Sequence, residues 1–267
     1  MAAADALAHD EAALLRRLVA LAMAPRRPSI WEQPPRALLE SAAAAYLLLG
    51  AEPGDAGTFL LGGLEGLTRE LSRSSTQHTV SDQRGLRGRV LWGPTVAIQA
   101  ERGDGGPAYV YREVRHQYDT PENQLLRHTL EGLAHGLQRL APALRAGVCY
   151  TRVDGTLEPR PAAARLERLE AALLRARACA GLRAVTPLAR VEARHLARAE
   201  TARNEAYATV SKMYRQHVAL LDPQGWRDAL AALGRRVLVL PAGDGPEAEP
   251  WIELAAIALR GHGAGGT

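Results

Sequence analysis

The sequence predicts an α+β protein, mostly helical, with a small β-hairpin element between helical parts. Three observations carry that reading. Ala, Leu and Arg, all good helix formers, dominate the 267 residues. Apolar residues recur every three or four positions over most of the chain, the spacing of one helix face. Between residues 83 and 118 that spacing gives way to Tyr, Val, Thr and Gly in β-rich order.

Three regions follow: an N-terminal helical region over 1–82, a hairpin with a capped helix over 83–141, and a C-terminal helical region over 142–267. Residues 5–24 predict a first amphipathic helix with Leu14, Leu15, Leu18 and Leu21 on its apolar side, ended by Pro25 and Pro28. Pro34-Pro35 introduces a second helix that runs to Leu49 and stops at Gly50. A third, from Thr58 to Leu71, is weakened by Gly62, Gly63 and Gly66. The Ser/Thr-rich stretch from Ser72 to Gln83 reads as a loop.

In the middle region a basic turn, Gly85 to Arg89, leads into alternating side chains after Pro94, with Val96, Ile98 and Ala100 opposite Thr95, Ala97 and Gln99. A Gly-rich reversal from Arg102 to Pro107 and a second run from Tyr109 to Tyr118 complete the expected hairpin. A dense helix start follows. Thr120 suits the N-cap, Pro121 the first helical position, and Glu122 the positive end of the helix dipole. Leu126, Leu130, Leu133, Leu137 and Leu140 then form a buried stripe. These local rules leave Asp119 and Asn123 without a reason.

The C-terminal region predicts a connector over Pro142–Arg160 with a turn at Val153-Asp154-Gly155-Thr156, then a helix over 161–180 ended by Gly181. Thr186-Pro187 begins the longest expected helix, to about Leu221. A short helix from Trp226 to Leu233, a strand from Arg236 to Leu240, a helix from Trp251 to Leu259 and a disordered Gly-rich tail complete the chain.

The stretches GLRGRVLWGPTV and YDTPENQLLRHTLEGL carry a resemblance that explains Asp119 and Asn123. Together they resemble the central motif of the McrC family, the partner subunits of McrB-type AAA+ motors in modification-dependent restriction and phage defence. The family pattern is a Gly-x-x-Gly-Arg turn, a hairpin containing Thr, and Asp-Thr-x-x-Asn-Arg leading a helix. Gly85, Gly88, Arg89, Thr95, Asp119, Thr120 and Asn123 match it, and Arg127 stands for a basic residue later in the helix. Gln124 departs from it, occupying a position where the family often has Arg. The resemblance implies partner contact by Arg87 and Arg89, and a hairpin-to-helix junction held by Asp119, Thr120 and Asn123. It also implies two partners, an AAA+ motor subunit and a separate nuclease subunit, in an antiviral defence or restriction system.

Catalytic chemistry is sparse. Lys212 is the only lysine, and it follows Ser211 without a glycine loop, so no Walker A motif exists. The family's PD-(D/E)xK nuclease needs an acidic-x-Lys strand, but Val210 stands two residues before Lys212. The resemblance therefore covers the N-terminal and central region without the nuclease domain. No catalytic residue, metal site or cofactor is expected. His128 and His135 lie two turns apart, suited to a solvated helix face rather than a zinc site. Gly103 to Gly106 reads as a turn, and Asp119 as a structural brace rather than an acid catalyst. Cys149 and Cys179 form neither a metal-ligand spacing nor a disulfide framework, consistent with a reducing cytoplasm. No apolar run reaches the ~20 residues of a membrane span.

The formal charge is +4, carried almost wholly by arginine, for which GC-rich coding is the simplest cause. Arg190, Arg194 and Arg198 are the exception. Spaced by four on the expected long helix, they would stack on one face at a cost of about 0.2–0.5 kcal/mol per pair, a penalty that phosphate or partner carboxylates would relieve. The leading expectation is a non-catalytic McrC-like adaptor. The alternative is a stand-alone DNA-binding protein using the arginine-rich helix.

Overall fold

The computed structural model describes residues 30–50, 55–82, 89–102, 108–153, 156–243 and 245–260, together with residues 16 and 19. The expected first helix over 5–24, the Gly-rich tail, Arg87, the Gly103–Gly106 turn and the Asp154-Gly155 turn lie outside the described residues, apart from residues 16 and 19. The fold is α+β, mostly helical, with two small antiparallel sheets. None of the described helices is long and apolar enough to cross a membrane.

Helix α1, Arg36–Leu49, lies at the centre, and every residue from Ser41 to Leu49 is buried. A helix apolar on all sides must be surrounded, and its alanine run lets neighbours approach closely. Ahead of it, Trp31 is buried against Trp226 and Trp251, with ring centroids 5.5 and 5.7 Å away. The third expected helix divides into α2, Ala56–Gly62, and α3, Leu64–Arg69. Gly63 lies between them, and its N–H still bonds Phe59.

The middle region differs from the expected hairpin. Residues 74–117 build a three-stranded sheet with one helix: β1, Ser74–Asp82; β2, Arg89–Val90; α4, Trp92–Arg102; and β3, Tyr109–Gln117. The spatial order is β1-β3-β2, antiparallel throughout. Thus the Ser/Thr-rich stretch read as a loop is the main partner of β3, and the sheet spans the expected boundary at residue 82. The alternating run after Pro94 is helical. Pro94 sits in the first turn, where its missing N–H costs no bond, and Thr95 and Gln99, one turn apart, bond β3 and the residue before it. Thr95 Oγ1 accepts from the Val110 N–H at 2.9 Å, and Gln99 Nε2 donates to the Ala108 carbonyl at 3.1 Å.

After this unit come α5, Pro121–Gln138, and the short α6, Pro142–Arg145. The expected connector is instead a β-hairpin, β4 (Val148–Val153) with β5 (Thr156–Pro161). On its other edge β4 pairs with β6, Val237–Leu240. Helix α7, Ala162–Ala178, is followed by a turn of helix, α8, Ala180–Arg183, so Gly181 lies inside a helical turn rather than ending one. The long helix expected over 186–221 is broken. Residues 186–192 are irregular, α9 spans Ala193–Glu200, and α10 spans Ala206–Leu221. Asn204 Oδ1 accepts from the Ala206 N–H at 3.0 Å, so the break is closed by a side-chain turn. Helices α11, Trp226–Gly234, and α12, Glu249–Arg260, complete the core.

Candidate functional site

Asp119, Asn123, Arg127 and His128 all lie at the start of α5 or on it, and each bonds a segment distant in sequence. Asn123 is fully buried. Its Nδ2 donates to the carbonyls of Ser72 at 2.8 Å and Tyr118 at 2.7 Å, and its Oδ1 accepts from the Tyr207 hydroxyl. That hydroxyl in turn accepts from the Ser72 N–H at 2.9 Å. Ser72 precedes β1 and Tyr118 follows β3, so one amide holds both ends of the 74–117 unit. Arg73 adds a second tie, its guanidinium 5.1 Å from the Tyr118 ring centroid.

The remaining residues clamp the irregular segment before α9. Asp119 Oδ1 accepts from the Thr186 N–H and Oδ2 from the Thr186 hydroxyl, both at 2.8 Å, while Gln124 Nε2 donates to Oδ1 at 2.9 Å. Desolvation pushes the Asp119 carboxyl up, but these bonds outweigh it and hold its pKa below the usual value. Arg127 donates to the Val185 carbonyl and pairs with Glu131 at 2.8 Å. His128 Nδ1 lies 3.2 Å from the Leu188 carbonyl, so this half-buried ring is a packing contact rather than part of a solvated face. Its edge-on neighbour is Tyr214, and His217 on the same helix as Tyr214 has its pKa pushed down to about 4 by burial.

Thr120 differs from the expected cap. It occupies the N-cap position, but its side chain caps nothing, and the buried Oγ1 has no partner. Only its backbone carbonyl serves the helix, accepting from Gln124 N–H at 2.9 Å. Losing a side-chain cap costs about 0.5–2 kcal/mol, and that loss cannot occur here. Thr120→Val, which swaps an unsatisfied hydroxyl for a methyl of similar shape, is therefore expected to leave the urea midpoint unchanged or raise it.

The 74–117 unit leaves an apolar face in solvent. Trp92 is 67% and Val96 60% exposed, one helical turn apart on α4, and Arg89 is exposed on the adjoining β2. The arginine stripe does not form as expected. Arg190 precedes α9, so only Arg194 and Arg198 share a helix. Arg194 pairs with Glu192 at 3.0 Å, and Arg198 faces the buried Glu122 at 3.6 Å. All three arginines are exposed, but carboxylates already offset two of them.

A second feature is an open cleft of about 510 Å³ between α5, α7 and α8, lined by Arg127, Glu131, Leu174, Arg177, Leu182 and Arg183. Among the described residues, no group of three His, Cys, Asp or Glu side chains could hold a metal ion. Sequence reasoning missed Ser72, Thr186 and Tyr207, the partners of the motif residues. For Tyr207 the only hint in the sequence is its phenol, which a buried site obliges to find a partner. Scanned against protein-family models and against curated proteins, the sequence matches none of them.

Proposed function

We propose that this chain is a non-catalytic, McrC-like adaptor of an antiphage or restriction system, which docks on an AAA+ motor and links it to a nuclease carried on another chain. The observation that carries the reading is the 74–117 unit, gripped at both ends by Asn123 and leaving Trp92 and Val96 uncovered beside Arg89. Isolated exposed apolar residues are ordinary, but a tryptophan and a valine aligned on one short helix beside an arginine have the composition of an interface anchor. Of the motif residues that resemble the McrC family, Asn123 fixes this unit to the helical body, while Asp119 and Arg127 hold the segment before α9. Arg198, tied to Glu122, and Arg194, tied to Glu192, give the DNA-binding alternative less support.

The test is co-expression with an AAA+ motor encoded beside this protein, followed by size-exclusion chromatography with light scattering. The wild-type chain is expected to elute with the motor. Trp92→Ala with Val96→Ser is expected to weaken the complex by about 2 kcal/mol or more, the cost of truncating a central anchor. Arg89→Glu is expected to weaken it further, and the free variants are expected to keep the wild-type unfolding midpoint. A complex that forms equally well with all three residues replaced contradicts the assignment of this face.

A further inference from the structure

The cleft beside Arg127 has a composition that the proposed motor-binding face does not use. Its helix α7 shows a line of small and apolar side chains to solvent, Ala171, Leu174 and Ala178, spaced three and four apart on one face. Leu174 is 69% exposed, the most exposed of the large apolar side chains in the described residues. The alanines on either side leave depressions that an opposing helix can fill, the geometry of ridges packing into grooves. Leu182, buried at the cleft floor, continues the apolar surface.

Among the side chains that line the cleft itself, the charge is one-sided. Arg127, Arg177 and Arg183 face a single acid, Glu131, which Arg127 already engages. Arg177 and Arg183 are exposed, and among the described residues neither has a carboxylate at ion-pair distance. An apolar centre with an arginine rim is the anatomy of a protein interface. A nucleic-acid phosphate would use the arginines but gain nothing from Leu174, and among the described residues no aromatic side chain lines the cleft to stack a base.

We infer that this cleft docks an acidic amphipathic helix of a partner protein, one that lays an apolar side chain beside Leu174 and sets carboxylates against Arg177 and Arg183. The occupant is fixed by charge complementarity. Its acids would meet guanidinium groups that have no carboxylate partner among the described residues, while its apolar edge would cover a leucine now facing water. The surface is built from residues other than those of the 74–117 unit, so the inference stands whether or not that unit binds a motor.

The probes are two fluorescein-labelled amphipathic model helices with the same leucine edge, one flanked by glutamates and one by lysines. Fluorescence anisotropy is expected to show binding of the glutamate helix only, weakening as salt is raised. Arg177→Glu with Arg183→Glu is expected to reduce its affinity about tenfold or more, and Leu174→Ser to reduce it as well. Arg127 is left intact, because it holds the Val185 carbonyl, and circular dichroism confirms that each variant is folded. Duplex DNA and inorganic phosphate serve as competitors. Absence of glutamate-helix binding overturns the inference. So does equal binding of the lysine helix, or displacement by phosphate with no effect of Leu174→Ser.

Discussion

Asn123→Leu is expected to cost roughly 3 kcal/mol of stability or more, because it strips the amide partner from the Ser72 carbonyl and the acceptor from the Tyr207 hydroxyl, while the Tyr118 carbonyl keeps the Thr120 N–H. The leucine conserves most of the volume, so the loss is one of hydrogen bonding rather than of packing. Ser72 and Tyr118 lose the amide that holds them, and the Tyr207 hydroxyl keeps only the Ser72 N–H. Urea titration followed by circular dichroism gives the magnitude. Tyr207→Phe alone should cost less, since the amide can still reach both carbonyls. The double variant should fall short of the sum of the two single losses, as expected for residues in one network. Additive losses would mean that Asn123 and Tyr207 act independently.

Gly57→Ala is the second large effect, expected at about 3 kcal/mol or more, at or beyond the upper end for overpacking. A Cβ at residue 57 would clash with the Leu48 carbonyl oxygen, far inside van der Waals contact distance, and would lie 2.8 Å from Arg165 Nη2. Neither can yield easily. The buried Arg165 guanidinium donates to the carbonyls of Leu48 and Gly50, satisfying the end of α1. The added methyl must therefore push α2 away from α1 or break that cap. A thermal unfolding scan checks the outcome. A near-wild-type midpoint would show that the contact between α1 and α2 is looser than the geometry implies.

Legibility in the sequence followed the source of each signal. Helices α1, α11 and α12 and strand β6 could be read because burial imposes a pattern on neighbouring residues. Strand β1 could not, since Ser74–Asp82 is mostly polar and has no apolar alternation. The run after Pro94 fits two periods at once: Val96, Ile98 and Ala100 alternate, while Thr95 and Gln99 are one helical turn apart. The contacts to Val110 and Ala108 decide for the helix. The break between α9 and α10 contains neither Gly nor Pro, and Asn204 was its sole local clue.

The junction residues were visible for a different reason. Asp119 and Asn123 exceed what a helix start requires, so the sequence marks them as special without naming their partners. Those partners lie 51, 67 and 84 residues away, at Ser72, Thr186 and Tyr207, beyond any local rule. Thr120 shows the opposite failure. Its position obeys the N-cap preference, yet its hydroxyl turns into the protein and bonds nothing.

The measurement that tests the docking proposal most directly is amide hydrogen exchange of the chain, alone and saturated with the co-expressed AAA+ motor. Exchange reports local opening and the covering of surface by a partner, segment by segment. Motor binding is expected to slow exchange chiefly in peptides spanning Arg89–Arg102, around Trp92 and Val96. Peptides covering the junction at Ser72, Asn123 and Tyr207 should already be slow in the free chain. Protection confined to other segments, or an exchange pattern unchanged by the motor, would contradict the docking proposal.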